Sequence, residues 1–210
     1  YLVAKRFWKG SSPMLTAAVA ALALAASPGP LELVKNVDAE VQKILKSPDA
    51  TTEKLSARAE EFIDFGELAK RAMGAEWAKL KKPQQDELTS TMKGLLRASY
   101  AQKAVKDDRG GTAKVDYGAE KIDGNDAEVK TTLNVKSDKF SVNYKMFRAD
   151  AKAAWRIYDV ITDEVSLVQT YSDQFKQQMA KGGFDGLIAK LKKRQAQLEK
   201  ENAETSAQKN

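Results

Sequence analysis

The chain of 210 residues has neither cysteine nor histidine. Without cysteine there is no disulfide, no thiolate nucleophile and no sulfur ligand for a metal. Without histidine there is no imidazole base and no Ser-His-Asp triad. Only carboxylate, lysine or tyrosine chemistry, or a carboxylate-bound metal, is left for catalysis, so an enzyme is disfavoured and neither a catalytic residue nor a metal site is expected. A large excess of one charge is missing too: 35 Lys and Arg face 29 Asp and Glu. Half of the resulting +6 sits on Lys5, Arg6 and Lys9, ahead of the first acid, Glu32. The rest of the chain is close to neutral and supplies no strongly basic face, so nucleic acid is not an expected partner.

Long hydrophobic runs are likewise scarce. The one that stands out, Met14 to Ala26, is shorter than the roughly 20 apolar residues a membrane-spanning helix needs. It follows Lys5, Arg6 and Lys9, ends on Ala23-Leu24-Ala25, and meets the helix-breaking Ser27-Pro28-Gly29-Pro30. A basic start, a short apolar stretch and a small-residue cut site are the parts of a secretory signal peptide. Residues 1–25 are read as that signal, which makes the mature protein a soluble, exported one. With no cysteine after the cut, a lipid-modified N-terminus is excluded.

What remains is patterned. Leu31, Val34, Val37, Val41, Ile44 and Leu45 recur at helical spacing until Ser47-Pro48-Asp49. Thr51 or Thr52 is placed to cap a second helix reaching about Asp64. A short third helix, Gly66 to Met73, ends at Gly74, and Pro83 opens a long fourth one carrying Leu88, Met92, Leu95, Leu96 and Tyr100 on one side. From Thr112 the period drops to two. Val115 and Tyr117, then Ala127, Val129, Leu133 and Val135, then Phe140, Val142, Tyr144 and Met146 alternate with polar residues, and Trp155 to Ile161 closes the series. Asp123-Gly124-Asn125-Asp126, Ser137-Asp138 and Ala149-Asp150 supply the turns. Four strands in succession predict an antiparallel meander with one apolar face.

Helical spacing returns at Glu164, with Val168, Tyr171, Phe175 and Met179 on one stripe, stops at Gly182-Gly183, and resumes with Phe184, Leu187, Ile188 and Leu191. Residues 26–201 are read as one α+β domain, a twisted antiparallel sheet of about four strands wrapped by helices. Residues 202–210 are read as a polar, disordered tail. The acidic pairs Glu60-Glu61, Asp107-Asp108 and Asp163-Glu164 read as solvated charges. Gly110-Gly111 and Gly182-Gly183 lack the phosphate-loop pattern and read as breakers. The cations from Lys190 to Arg194 read first as a solvated helix face, with contact to an anionic membrane or to a partner as the sharper alternative.

A longer string is more specific. Trp155-Arg156-Ile157-Tyr158-Asp159-Val160-Ile161, then Val165-Ser166-Leu167-Val168, Tyr171, Gln174-Phe175 and Gly182-Gly183-Phe184-Asp185-Gly186-Leu187-Ile188 through Leu191, resembles the MlaC family. These are periplasmic phospholipid carriers, also called toluene-tolerance or auxiliary transport proteins. Phe62-Ile63-Asp64-Phe65, Leu68, Ala69, Gly74 and Trp77 resemble the segment before the family's long helix, which Gln85, Leu95, Leu96 and Tyr100 also fit, and Val142-Asn143-Tyr144 resembles its V-D-Y strand. The likeness spans about residues 33–193. Glu164, where the family commonly has Gly, and Asn143, in place of the usual Asp, depart from it.

The resemblance implies that sheet and helices enclose a deep apolar pocket that shelters phospholipid tails and leaves the head group in solvent. It implies no cofactor, only bound phospholipid as cargo. It further implies handover between an MlaA-like lipoprotein complex of the outer membrane and an MlaD-like, MCE-domain ABC transporter complex of the inner membrane, in maintenance of outer-membrane lipid asymmetry. The expected tail contacts are Phe65, Leu96, Tyr100, Val129, Leu133, Val142, Tyr144, Met146, Trp155, Tyr171 and Phe175, each of which also suits plain core packing. A charge at Val142 or Leu133 is expected to abolish lipid retention without unfolding the protein. The alternatives are a carrier of another exported lipid such as a hopanoid, an enzyme on a similar scaffold, and a docking module with a filled core.

Overall fold

The computed structural model describes residues 27–101, 114–135 and 137–207. The expected signal segment and the side chain of Tyr100 lie outside the described residues. Helix α1, Pro30–Leu45, starts with Pro30 in its first turn, where the missing N–H costs nothing, and has Glu32 near its N-terminus and Lys43 near its C-terminus. Helix α2, Thr52–Phe62, is capped by the Thr51 hydroxyl, which accepts from the Lys54 N–H at 3.2 Å. Helix α3, Phe65–Met73, is capped by the Asp64 carboxylate, which accepts from the Glu67 N–H at 2.8 Å, and stops at Gly74, whose φ of 56° an L side chain resists. A 3-10 helix, Gly74–Lys79, leads to α4, Lys82–Leu96, which loosens into a π turn, Arg97–Ala101.

The meander follows as one sheet in sequence order: β1 Lys114–Asp123, β2 Asp126–Val135, β3 Asp138–Phe147, β4 Arg156–Thr162 and β5 Val165–Ser166, every pair antiparallel. Val129 stands opposite Tyr144, which stands opposite Val160; Ala127 stands opposite Met146 and Leu133 opposite Phe140. These residues share one face, as the period of two predicts. Register shifts interrupt β1 between Tyr117 and Glu120, and the β3–β4 pair beside Lys145 and Met146.

Two boundaries differ from those read in the sequence. Val165 and Ser166, placed there in a helix, form a fifth short strand folded back on β4 across Asp163 and Glu164. Both turn residues have positive φ, 47° and 69°, as a tight hairpin turn requires. The last helix, α5, therefore starts at Leu167 and runs to Ala207, broken at Gly183, where φ is 61° and ψ −161°. It continues past Asn202, where the sequence suggested fraying. Gln195 and Gln197 bond Glu199 and Glu201 one turn on, and the Asn202 amide donates to the Ala98 carbonyl at 2.8 Å.

Two buried clusters result. One joins α1 to the sheet: Leu33 and Val34 lie on Ala127, Val129, Met146, Trp155 and Ile157. The other joins helices only: Leu68, Ala69 and Ala72 of α3, Leu88, Met92 and Leu95 of α4, and Phe175, Leu187 and Leu191 of α5. Each fully buried Val, Leu, Met or Phe among them contributes about 1.5–3 kcal/mol.

Candidate functional site

The two clusters do not merge. Between them lies a cavity of about 930 Å³, walled by α2, α3, α4, α5 and the β4–β5 edge of the sheet, with Val41 near the end of α1. Anchors at either end keep the helices off the sheet. At one, Ile63 bridges to Ile157, the Asp64 N–H donates to the Ile157 carbonyl at 2.8 Å, and the Arg156 guanidinium donates to the Ile63 carbonyl at 2.9 Å. This fixes the α2–α3 corner. At the other, Asp159, only 3% exposed, accepts from the Ser166 hydroxyl at 2.6 Å and the Val168 N–H at 3.0 Å, which fastens the first turn of α5 to β4.

The span between the anchors is mainly apolar. Leu55 and Ala59 of α2, Phe65 and Leu68 of α3, Leu95 and Leu96 of α4, Ile157 and Val160 of β4, and Leu167, Tyr171, Leu187 and Leu191 of α5 all face it. Such a lining offers little to hold ordered water, which needs two or more polar partners. At about 30 Å³ per small group, the space takes on the order of 30 methylenes. Tyr158 also borders it. Its ring lies beneath the Arg71 guanidinium, 3.8 Å from the centroid, and edge-on to Phe147, and burial holds its phenol above the ordinary range.

Six charged residues reach the wall. Glu60 pairs with Lys93 at 2.9 Å, and Asp159 is engaged as above. Arg97, Lys190 and Arg194 are exposed and stand at the opening. The Ser56 hydroxyl, on the cavity side of α2, is buried with no hydrogen-bond partner in the described structure. Among the described residues no acidic cluster is arranged to hold a metal ion, and no helix is long and apolar enough to cross a membrane.

Of the residues expected to line a pocket, Phe65, Leu96 and Tyr171 lie on this wall. Val129, Met146 and Trp155 are buried beneath α1, with Tyr144 packed against them, and Phe175 is buried among the helices. Leu133 and Val142 are half-buried on the same sheet face, off the cavity wall. Burial and the neighbouring Asp38 push the Tyr144 phenol up to about 12. Residues absent from the expected set include Leu55 and Ala59, four apart on α2, and Leu187 and Leu191, four apart on α5. Their helical spacing was visible, but it matches that of residues that meet a packed neighbour.

The sequence model described as MlaC protein matches residues 32–193. No curated protein sequence matches the chain. Among solved structures, the chain is similar to a phospholipid-binding protein from Ralstonia solanacearum, solved in complex with a phospholipid. The two are 26% identical, the match covers 79% of this chain and 96% of that one, and the TM-score is 0.70.

Proposed function

We propose that this chain, which belongs to the MlaC family, holds the acyl chains of a phospholipid in the helix–β4 cavity and carries the lipid between membranes. It is a binding and transport protein rather than an enzyme. The observation that carries the reading is the hollow itself: about 930 Å³ of mostly apolar wall between two well-packed clusters. The phospholipid bound by the Ralstonia solanacearum relative supports the choice of cargo.

The energetics suit a carrier. Sheltering about 30 methylenes at about 0.8 kcal/mol each is worth on the order of 20 kcal/mol against water. A bilayer returns nearly the same gain, so capture and release differ by little and need no covalent step. Phe65, Leu96 and Tyr171, with Leu55, Ala59 and Val160, are the tail contacts of this reading. The finer reading places the protein in the periplasm, between the MlaA-like complex of the outer membrane and the MlaD-like ABC transporter complex of the inner one, in maintaining lipid asymmetry. The apolar segment Met14 to Ala26 after Lys5, Arg6 and Lys9 supports export.

A transfer assay tests the carrier. Donor vesicles containing a radiolabelled phospholipid are mixed with unlabelled acceptors, with and without the protein. Transfer that rises in proportion to protein concentration is expected. Label that stays in the donors, or moves only by vesicle fusion, would remove the carrier reading.

A further inference from the structure

Resting on the phospholipid reading above, we propose that the cavity mouth reads the lipid's phosphodiester through Arg97, Lys190 and Arg194, one side of the opening being built for the head group. The exposed part of the wall falls into two sectors. Thr162, Val165, Thr170 and Gln174, from β4, β5 and the start of α5, are all uncharged, and Val165 is 64% exposed. The other sector, from the end of α4 and the second half of α5, exposes Arg97, Lys190 and Arg194.

Helical geometry groups these cations. Lys93 and Arg97 are four apart on the α4 side, and Lys190 and Arg194 four apart on α5, so each pair shares one helix face. The two helices cross closely here. Gly94 stands beside Lys93, and a Cβ on it would meet the Gln195 side chain at 2.6 Å; Gln195 is the residue after Arg194. Lys192 to Glu87 at 2.6 Å and Asn202 to the Ala98 carbonyl at 2.8 Å hold the crossing.

The acids on the wall leave the charge of Arg97 and Lys190 uncompensated. Glu60 is taken by Lys93, and Asp159 is turned to the start of α5. Arg97 and Lys190 have no ion-pair partner among the described residues, and Arg194 reaches Glu201 only at 3.8 Å. Guanidinium and ammonium donors suit the two unesterified oxygens of a phosphodiester, Arg by paired N–H groups and Lys as a point charge. With the tails directed inward, the phosphate stays at the water boundary and meets these donors. The ligand class is thus narrowed from any two-tailed lipid to one with an anionic phosphate, in preference to an uncharged diacylglycerol.

The test compares the wild-type chain with the triple variant Arg97→Gln, Lys190→Gln and Arg194→Gln. Each is loaded with dioleoylphosphatidylglycerol or with dioleoylglycerol from cyclodextrin, so that no bilayer is present. The variant is expected to retain the phospholipid at least about ten-fold more weakly than wild type, because charge-assisted hydrogen bonds are lost, and to retain dioleoylglycerol equally. Added salt is expected to weaken phospholipid retention in the wild type and to have little effect in the variant. Equal phospholipid retention by both chains would overturn the clamp and leave the carrier standing, as would equal loss of both lipids by the variant. A defect seen only when lipid is offered in vesicles would assign the cations to docking on a bilayer and overturn it too. A thermal shift from inorganic phosphate as large as that from phospholipid would make the mouth a free-anion site. Wild-type protein that takes up neither lipid would remove the clamp and the carrier together.

Discussion

One face of one sheet meets two kinds of cover. Under α1 it is sealed: Leu33 and Val34 descend directly onto Val129 and Met146, leaving both of the latter with no exposure. Along β4 it is not, although Val160 continues the same row of inward side chains through Tyr144. There the covering helices bury their best apolar surface in one another, as Leu68, Leu88, Met92, Phe175 and Leu187 show, and are held to the sheet by fixed polar contacts at Ile157 and Asp159. A helix that lies on a sheet fills the gap, whereas helices that pack together and are tethered to a sheet leave one. The difference lies in how the cover is attached, since the wall residues of the two regions are chemically alike.

Substitution should separate the regions. The largest effect is expected in the sealed part: Met146→Ala removes a fully buried side chain and should cost about 2–5 kcal/mol in urea-induced unfolding. Lipid uptake per folded molecule should not change. A variant that keeps its stability and loses uptake would reverse the assignment of sealed and hollow regions. In the hollow part, Ala59→Trp projects a large ring into open space. Uptake should fall at least about ten-fold, while stability moves by less than about 1 kcal/mol, since the ring meets a void instead of a packed core. A large loss of stability there would mean that the void closes on itself without lipid.

A third comparison uses pH. Burial raises the Tyr144 phenol from 10.0 to about 12, so between those values the folded protein keeps a proton that the unfolded chain gives up. This contribution is complete below pH 10 and is lost as pH rises through about 12. Tyr144→Phe should flatten the alkaline decline in stability relative to wild type, measured by thermal melting across that range. An unaltered slope would mean that the ring is wetter than its packing against the α1 cluster implies. The smallest effect belongs to Ser56. Its buried hydroxyl has no partner among the described residues, so Ser56→Ala should stabilise the lipid-free protein by about 1 kcal/mol in urea-induced unfolding. Destabilisation would reveal a hydrogen bond made by this hydroxyl.

Much of the architecture was legible in the sequence. The change of period at β1 marks the sheet, and Thr51, Gly74 and Pro83 punctuate the helices through a side-chain cap, positive φ and a missing N–H. The β5 hairpin was not, because Asp163 and Glu164 take positive φ without a glycine to signal it. The extension of α5 beyond Asn202 was hidden too: it depends on a contact with Ala98, distant in sequence. The cavity was the least legible feature. Phe65, Leu96 and Tyr171 line it while Phe175 and Met146 do not, yet all occupy apolar stripes. Periodicity reports that a side chain faces inward and carries nothing about whether another atom is waiting there. A resemblance to a family known for a pocket supplied what the pattern lacked.

Native mass spectrometry of the protein purified without detergent is the most direct measurement. The expected result is a bound mass in the range of a phospholipid, released on collisional activation and lost in Ala59→Trp. A bare polypeptide mass that stays bare after incubation with phospholipid would contradict it.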